Sequence, residues 1–301
     1  MGRTRTGTAA EPIAFAFDWL TREPTPPVSR VVESIWYARG TVPYARERIA
    51  PTGSTVAVLV LGDPIVETPD DGTGVPLVAD RGFLIGPHTR PVVNAPTGET
   101  FAVGIVTTPV GCEAVFGVAP AAIRWRVVDL EATWPAATAL RRQVLAADGP
   151  EAMLDVVTQA LARTAAPTLA TMPRGARVAL GRCEDAVALV EADPTTPIRD
   201  VAAALGVTHS QLDRDFARVV GLSPRALARL LRVRRLLEAL DVRTEVPWRD
   251  LAADLGWVDQ SHLIRDFVRH TGVTPTAYLA AQRRWLAPAV AGDGAGFVPE
   301  R

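Results

Sequence analysis

The chain has 301 residues, 48% of them hydrophobic and 22% charged, and a net charge of -1. This length carries two ordinary domains with separate cores, and the composition is that of a globular chain. No apolar run is long enough to cross a bilayer, no signal-peptide core opens the chain, and the two cysteines, Cys112 and Cys183, lie too far apart for a CxxC zinc unit or a disulfide framework. A cytoplasmic location without membrane contact is the expectation.

Residues 1–30 are rich in Thr, Pro and Gly, and "TREPTPPVSR" reads as an extended lead-in. From Ile35 to about Thr108 the text becomes short apolar runs between turn residues. "SIWYARG", "STVAVLVLGDP", "GVPLVADRGFLIGPH" and "TFAVGIVTTP" are strand-like, and their spacing predicts a small barrel or sandwich. Between Gly111 and Arg163 the apolar residues recur every three or four positions, which predicts helices. The Pro- and Gly-containing stretch from Thr164 to Arg177 is the expected linker, and helix dominates after it.

The C-terminal third repeats itself. "LGVTHSQLDRDFARVVGLSPRAL" begins at Leu205 and "LGWVDQSHLIRDFVRHTGVTPTAY" at Leu255. The copies align at an offset of 50 before an internal turn and 51 after it. In each, a short apolar-faced helix (Val201, Ala202, Leu205; Leu251, Ala252, Leu255) runs into a glycine. A cap residue then opens a second helix with inward apolar residues four apart: Thr208 before Leu212 and Phe216, Asp259 before Leu263 and Phe267. Two short helices around a tight turn, the second polar outside, make a helix-turn-helix. "SPRALARLLRVRRLLEAL" joins the copies as one helix, long enough to hold two reading heads about one DNA turn (~34 Å) apart. Residues 197–287 carry 14 Arg against 10 acidic residues, so positive charge gathers in this half.

Residues 184–282 resemble the double helix-turn-helix DNA-binding domain of the AraC/XylS family of bacterial transcription regulators, most specifically over "GWVDQSHLIRDFVRHTGVTPTAY". The resemblance implies an α+β protein: an N-terminal β-rich, cupin-like barrel with trailing helices and a C-terminal all-α domain. The expected bounds are 1–30 for the lead-in, 31–165 for the sensing or dimerising domain and 166–180 for the linker. The DNA-binding domain spans 181–287, with units at 197–222 and 248–272 joined by helix 223–241, and 288–301 is a flexible tail. The resemblance also implies base contacts from Ser210, Gln211, Asp213 and Arg214, and from Gln260, Ser261, Ile264 and Arg265. Arg suits guanine, Gln adenine, and an aliphatic group the thymine methyl. Thr208, Arg218, Arg229, Arg232, His262 and Arg269 are candidates for the phosphate backbone. Against each Arg stands the plainer reading of a solvated helix face or a pair with a nearby acid; Asp215 and Asp266 are the acids placed to pair.

In the β-rich half, Trp36, Tyr37, His88 and Arg90 are the candidate ligand-pocket residues, although a surface turn at His88 and half-buried strand aromatics are the commoner outcomes. With one His in that half, neither a metal nor a cofactor is expected, and catalysis is not. The implied partner is double-stranded DNA, with a small-molecule effector, RNA polymerase and a second copy of the chain left open. Two other readings stay in view. One is an interaction or dimerisation protein without an effector; the other is a DNA-repair enzyme, which needs an activated Cys.

Overall fold

The computed structural model describes residues 5–6, 17–69, 75–285 and 295–301. Ten strands come first: β1 (Arg5–Thr6), β2 (Phe17–Arg22), β3 (Val32–Gly40), β4 (Arg46–Ile49), β5 (Val56–Val60), β6 (Ile65–Pro69), β7 (Leu77–Ala79), β8 (Gly82–Ile85), β9 (Val92–Pro96) and β10 (Thr100–Thr107). Short α1 (Cys112–Phe116) and α2 (Pro120–Ile123), strand β11 (Val127–Asp129) and α3 (Leu130–Thr133) lead to α4 (Ala136–Leu145) and α5 (Pro150–Thr171). A helical C-terminal half follows: α6 (Arg174–Ala192), α7 (Ile198–Ala204), α8 (His209–Val219), α9 (Pro224–Ala239), α10 (Trp248–Asp254), α11 (Gln260–Thr271) and α12 (Pro275–Trp285). One more strand, β12 (Phe297–Glu300), closes the chain.

The strands form a seven-stranded sheet, β1-β2-β3-β10-β5-β8-β11, and a five-stranded sheet, β12-β4-β9-β6-β7. Every strand pair is antiparallel. "VAVLV" in β5 shows why the larger sheet reads as continuous apolar text instead of alternating. Val58 and Val60 face a core shared with Ile65, Ala79 and Val92 of the smaller sheet. Ala57 and Leu59 face the opposite way, into a core with α1, α4 and α5. A strand covered on both faces has no solvent side to mark with polar residues. Inside the sandwich Trp36 lies so close over Gly104 that a Cβ there would come within 2.0 Å of the ring, so only glycine fits.

Four boundaries differ from expectation. The lead-in is partly strand, because β2 pairs with β3 along its length. The expected linker 166–180 is helical on both sides of Met172–Pro173: α5 continues through Pro167, and α6 begins at Arg174. The connecting helix is α9, 16 residues and about 24 Å long, shorter than 223–241. Nor is the tail simply flexible. Residues 297–300 form β12, which pairs with β4 and so returns the C-terminus to the N-terminal domain, where Glu300 meets Arg46 (2.8 Å) and Arg48 (2.5 Å). The earlier part of that tail falls outside the described residues.

The two domains also meet directly. Arg30 pairs with Glu184 (2.8 Å) and Arg234 with Glu33 (3.0 Å). The loop Gly86–Arg90 reaches into the helical domain, and His88 there is buried, 8% exposed, not on a surface turn. Its Nδ1 donates to the Gly86 carbonyl (2.8 Å). His270, at the end of α11, donates from Nδ1 to the Thr89 carbonyl (2.7 Å). Pro87 and Pro120 press on Gly221, where an added Cβ would meet them at 3.1 and 3.0 Å. This loop thus touches the far ends of both helix-turn-helix units.

Burial holds His270 neutral, its pKa lowered from 6.5 to about 4. Between those values an unfolded chain takes up a proton that the folded one refuses, so stability falls as pH drops through that window. His270→Asn lacks this slope. Urea midpoints at about pH 7.5 and about pH 5 should fall more for wild type than for the variant; equal falls would place the proton uptake elsewhere.

Candidate nucleic-acid interface

Both copies fold as the repeat predicts. α7 ends at Gly206 (φ +65°) and α10 at Gly256 (φ +76°), left-handed positions that a side chain would strain. The second helix of each unit then starts on a side-chain cap. Thr208 accepts from the Gln211 N–H (3.2 Å), and Asp259 from the His262 N–H (2.6 Å). The single extra residue of the second copy falls in the turn before this cap, where Val258 projects outward, 88% exposed. Leu212, Phe216, Leu263 and Phe267 are fully buried. Phe267 sits edge-on to Trp248 and Tyr278 (6.1 and 5.4 Å).

The two "RDF" acids anchor α8 and α11 on their buried sides. Asp215, 7% exposed, accepts from Gln211 Nε2 (2.9 Å) and pairs with Arg182 of α6. Asp266, 6% exposed, accepts from Trp257 Nε1 (3.1 Å) and faces Arg229 of α9 (3.6 Å). These acids are structural, as expected, but their Arg partners come from other helices and are not the adjacent Arg.

The outer faces divide the remaining candidates. Ser210 and Arg214 are exposed and Gln211 and Asp213 half-buried on α8. Arg214 lies along its own helix, donating to the Ser210 carbonyl (3.2 Å) and to Gln211 Oε1 (2.8 Å). Asp213 pairs with His209 (3.0 Å). On α11, Gln260, Ser261, Ile264 and Arg265 are all exposed, and Arg265 makes no hydrogen bond or ion pair among the described residues. Of the phosphate candidates, Thr208, Arg218 and Arg269 are exposed and His262 half-buried, near Asp266 (3.6 Å). Arg229 and Arg232 are engaged inside the domain. Arg229 meets Asp266; Arg232 donates to the carbonyls of Gly256 (3.3 Å) and Pro194 (3.3 Å) and stacks over Trp257 (5.6 Å). Arg235 likewise closes the end of α6 through the carbonyls of Glu191 and Ala192.

Sequence reasoning missed Val258 and Arg182. The one-residue change of offset was the signal for Val258. Nothing local signals Arg182, which reaches Asp215 across 33 positions.

The pocket candidates of the N-terminal domain do not converge. Trp36 and Tyr37 are successive residues of β3 and face opposite sides, Trp36 stacked on Trp19 (5.0 Å) and Tyr37 buried against Phe101 (6.0 Å). His88 and Arg90 belong to the interdomain loop. A groove of about 720 Å³ does open between the domains, bordered by Arg30, Glu33, Glu184, Leu231 and Arg234.

Residues 201–281 match the family model of a helix-turn-helix domain, and residues 20–129 that of a domain of unknown function (DUF6597). No curated protein matches. Among solved structures the chain is similar to ToxT from Vibrio cholerae, with 12% identity over 87% of this chain and 98% of that one and a TM-score of 0.46. A transcriptional regulator with an AraC-type DNA-binding domain from Chromobacterium violaceum shares 27% identity over 34% of this chain and 92% of its own, at a TM-score of 0.30. An RmlC-like cupin from Shewanella frigidimarina shares 11% over 35% of this chain and 84% of its own, at 0.25. The C-terminal domain is therefore a helix-turn-helix domain. It holds two units on one connecting helix, and the protein is a DNA-binding transcription regulator.

Arg265→Ala removes an exposed, unpaired side chain, so melting should not change, while binding to the best DNA site should weaken by about 1–3 kcal/mol with relaxed preference at one position. Arg229→Ala should do the reverse first. It strips buried Asp266 of its Arg partner and should lower stability by about 1–3 kcal/mol. Thermal melts beside DNA titrations distinguish the two.

Proposed function

We propose that this regulator reads two successive major-groove segments from one chain, α8 in one and α11 in the other, and that the N-terminal domain sets how firmly the two heads are held. The observation that carries this is where the contacts fall. The N-terminal domain grips the units beyond α8, at Gly221, and at the end of α11, at His270, and leaves the starts of both helices exposed. Those starts carry Ser210, Gln211, Asp213 and Arg214, and Gln260, Ser261, Ile264 and Arg265, which supply base specificity. Thr208, Arg218 and Arg269 add phosphate contacts, with His262 at the edge; Arg229 and Arg232 support the fold of the interface instead. Val258 joins the base-facing set as an apolar group suited to a thymine methyl.

Modulation then works through the domain boundary. A small effector, or a second copy of the chain, that alters the contact of loop Gly86–Arg90 with the two units alters their shared orientation and hence DNA affinity. RNA polymerase is the further partner this role calls for. An enzymatic reading has little support. Cys112 and Cys183 are buried, with thiols pushed up to about 11 and about 12, which suits packing and not nucleophilic attack.

Selection of genomic fragments by the purified protein, followed by footprinting, tests the reading. Two protected blocks about one helical turn apart are expected, with log affinity falling linearly against log salt and the slope shallower in Arg269→Ala. One block alone, unaffected by substitutions in α11, would overturn the two-headed reading.

A further inference from the structure

The inner face of the smaller sheet carries ionisable side chains where a sandwich core should carry none. β9 is the middle strand of three. Its Asn94 stands directly opposite Glu47 on β4 and directly opposite Glu67 on β6. Residues facing each other across a ladder point to the same side, so Glu47, Asn94 and Glu67 form one row. Ile65 and Val92, two residues from Glu67 and Asn94 on the same strands, share that side and lie in the core between the sheets, which fixes the row as inward.

Glu67 has no exposed surface, and neither carboxylate oxygen has a hydrogen-bond partner among the described residues. The Asn94 side-chain oxygen is also buried and unpartnered. Glu47, 9% exposed, accepts one hydrogen bond, from the Tyr44 hydroxyl (2.8 Å). Among the described residues no Arg or His pairs with either acid. Burial raises both: Glu47 to about 7, and Glu67 well above its usual range, with the Glu47 charge adding to its shift. Buried acceptors without donors, next to two acids without a counter-charge, are an arrangement that proteins pay to keep only where something completes it.

We infer that Glu47, Asn94 and Glu67 form a binding site for a small hard cation inside the N-terminal domain. The donors are oxygens only, which suits an alkaline-earth-type ion or the ammonium group of a small amine. Soft transition metals fit poorly, since the row of Glu47, Asn94 and Glu67 offers neither an imidazole nor a thiol. Glu67 gives up its proton as the cation enters and then supplies negative charge, Asn94 adds a neutral oxygen, and Tyr44 holds Glu47 in place. Two of the site's three strands are tied to the DNA-binding domain. β9 follows the Gly86–Arg90 loop, and β4 pairs with the C-terminal strand β12. That the bound cation tunes DNA affinity rests on the modulated reading above; that it binds does not.

The experiment uses the full chain, stripped with chelator into amine-free buffer. Thermal melting and calorimetric titration are run with CaCl₂, MgCl₂, MnCl₂, methylammonium chloride and putrescine dihydrochloride, against NaCl at matched ionic strength. One of these classes should raise the melting point saturably above the NaCl control, with one site per chain. Response to the chlorides of divalent metals identifies an ion, and response to the amines an ammonium group. Glu67→Gln, close in shape and uncharged, should weaken that binding at least about tenfold, as should Glu47→Gln if the first variant does not fold. Glu99→Gln, exposed and paired with Arg39, should keep it. Two results overturn the site: no probe exceeds the NaCl control on wild-type protein, or the response survives in Glu67→Gln and Glu47→Gln. If cations bind normally and footprints on selected DNA do not change, the site stands and only its link to regulation fails.

Discussion

The structure depends most on one amphipathic helix that belongs to two cores at once. The first half of α9 puts Leu227, Ala228, Leu230 and Leu231 into the core of the first unit. Its second half puts Val233, Leu236 and Leu237 into the core of the second. A single rigid rod, buried at both ends, converts two weak modules into a fixed pair. Neither unit can turn without exposing leucines of the shared helix, and burial of such side chains stabilises by about 1.5–3 kcal/mol each. The basic residues of the same helix close the arrangement, Arg229 on Asp266, Arg232 on the end of α10 and Arg235 on the end of α6. What looks in the text like a DNA-binding Arg cluster is in part the bracing between helices.

Upon this frame the N-terminal domain is fastened at several separated points. A loop reaches both units, two ion pairs join Arg30 to Glu184 and Arg234 to Glu33, and β12 carries the end of the chain back into the β-sheet. Trp125, at φ +65° a conformation rarely adopted by a large side chain, donates its N–H to the Pro87 carbonyl (3.1 Å) and so braces the loop from behind. Gly86 is held just as tightly, since a Cβ there would meet the Ile123 carbonyl at 1.9 Å. A loop fixed this firmly transmits a change in the sheet instead of absorbing it, which is the property an interdomain coupling needs.

The sequence by itself determined the helix-turn-helix pair, because every feature of it is local. The glycine stop, the Thr208 and Asp259 caps, and Leu212 with Phe216 or Leu263 with Phe267 four apart are all decided within a dozen residues, and duplication made them plain. Strands β3, β5, β8 and β10 of the larger sheet were legible for a similar reason, as apolar runs between turns, whereas β2 and β11 take their strand form from pairing with β3 and β8. β4 was not: "RERI" reads as a charged surface segment, and only pairing with β9 and β12 makes it a strand with Glu47 inside. The same holds for β12 and for His88, whose burial is conferred by partners far away in the chain. The tertiary structure alone decided which arginines face solvent, which acids lie in the core, and where the two domains touch. Composition and periodicity register what a segment prefers, whereas ion pairs such as Arg182 with Asp215, and the row of Glu47, Asn94 and Glu67, exist only once distant segments have been brought into contact.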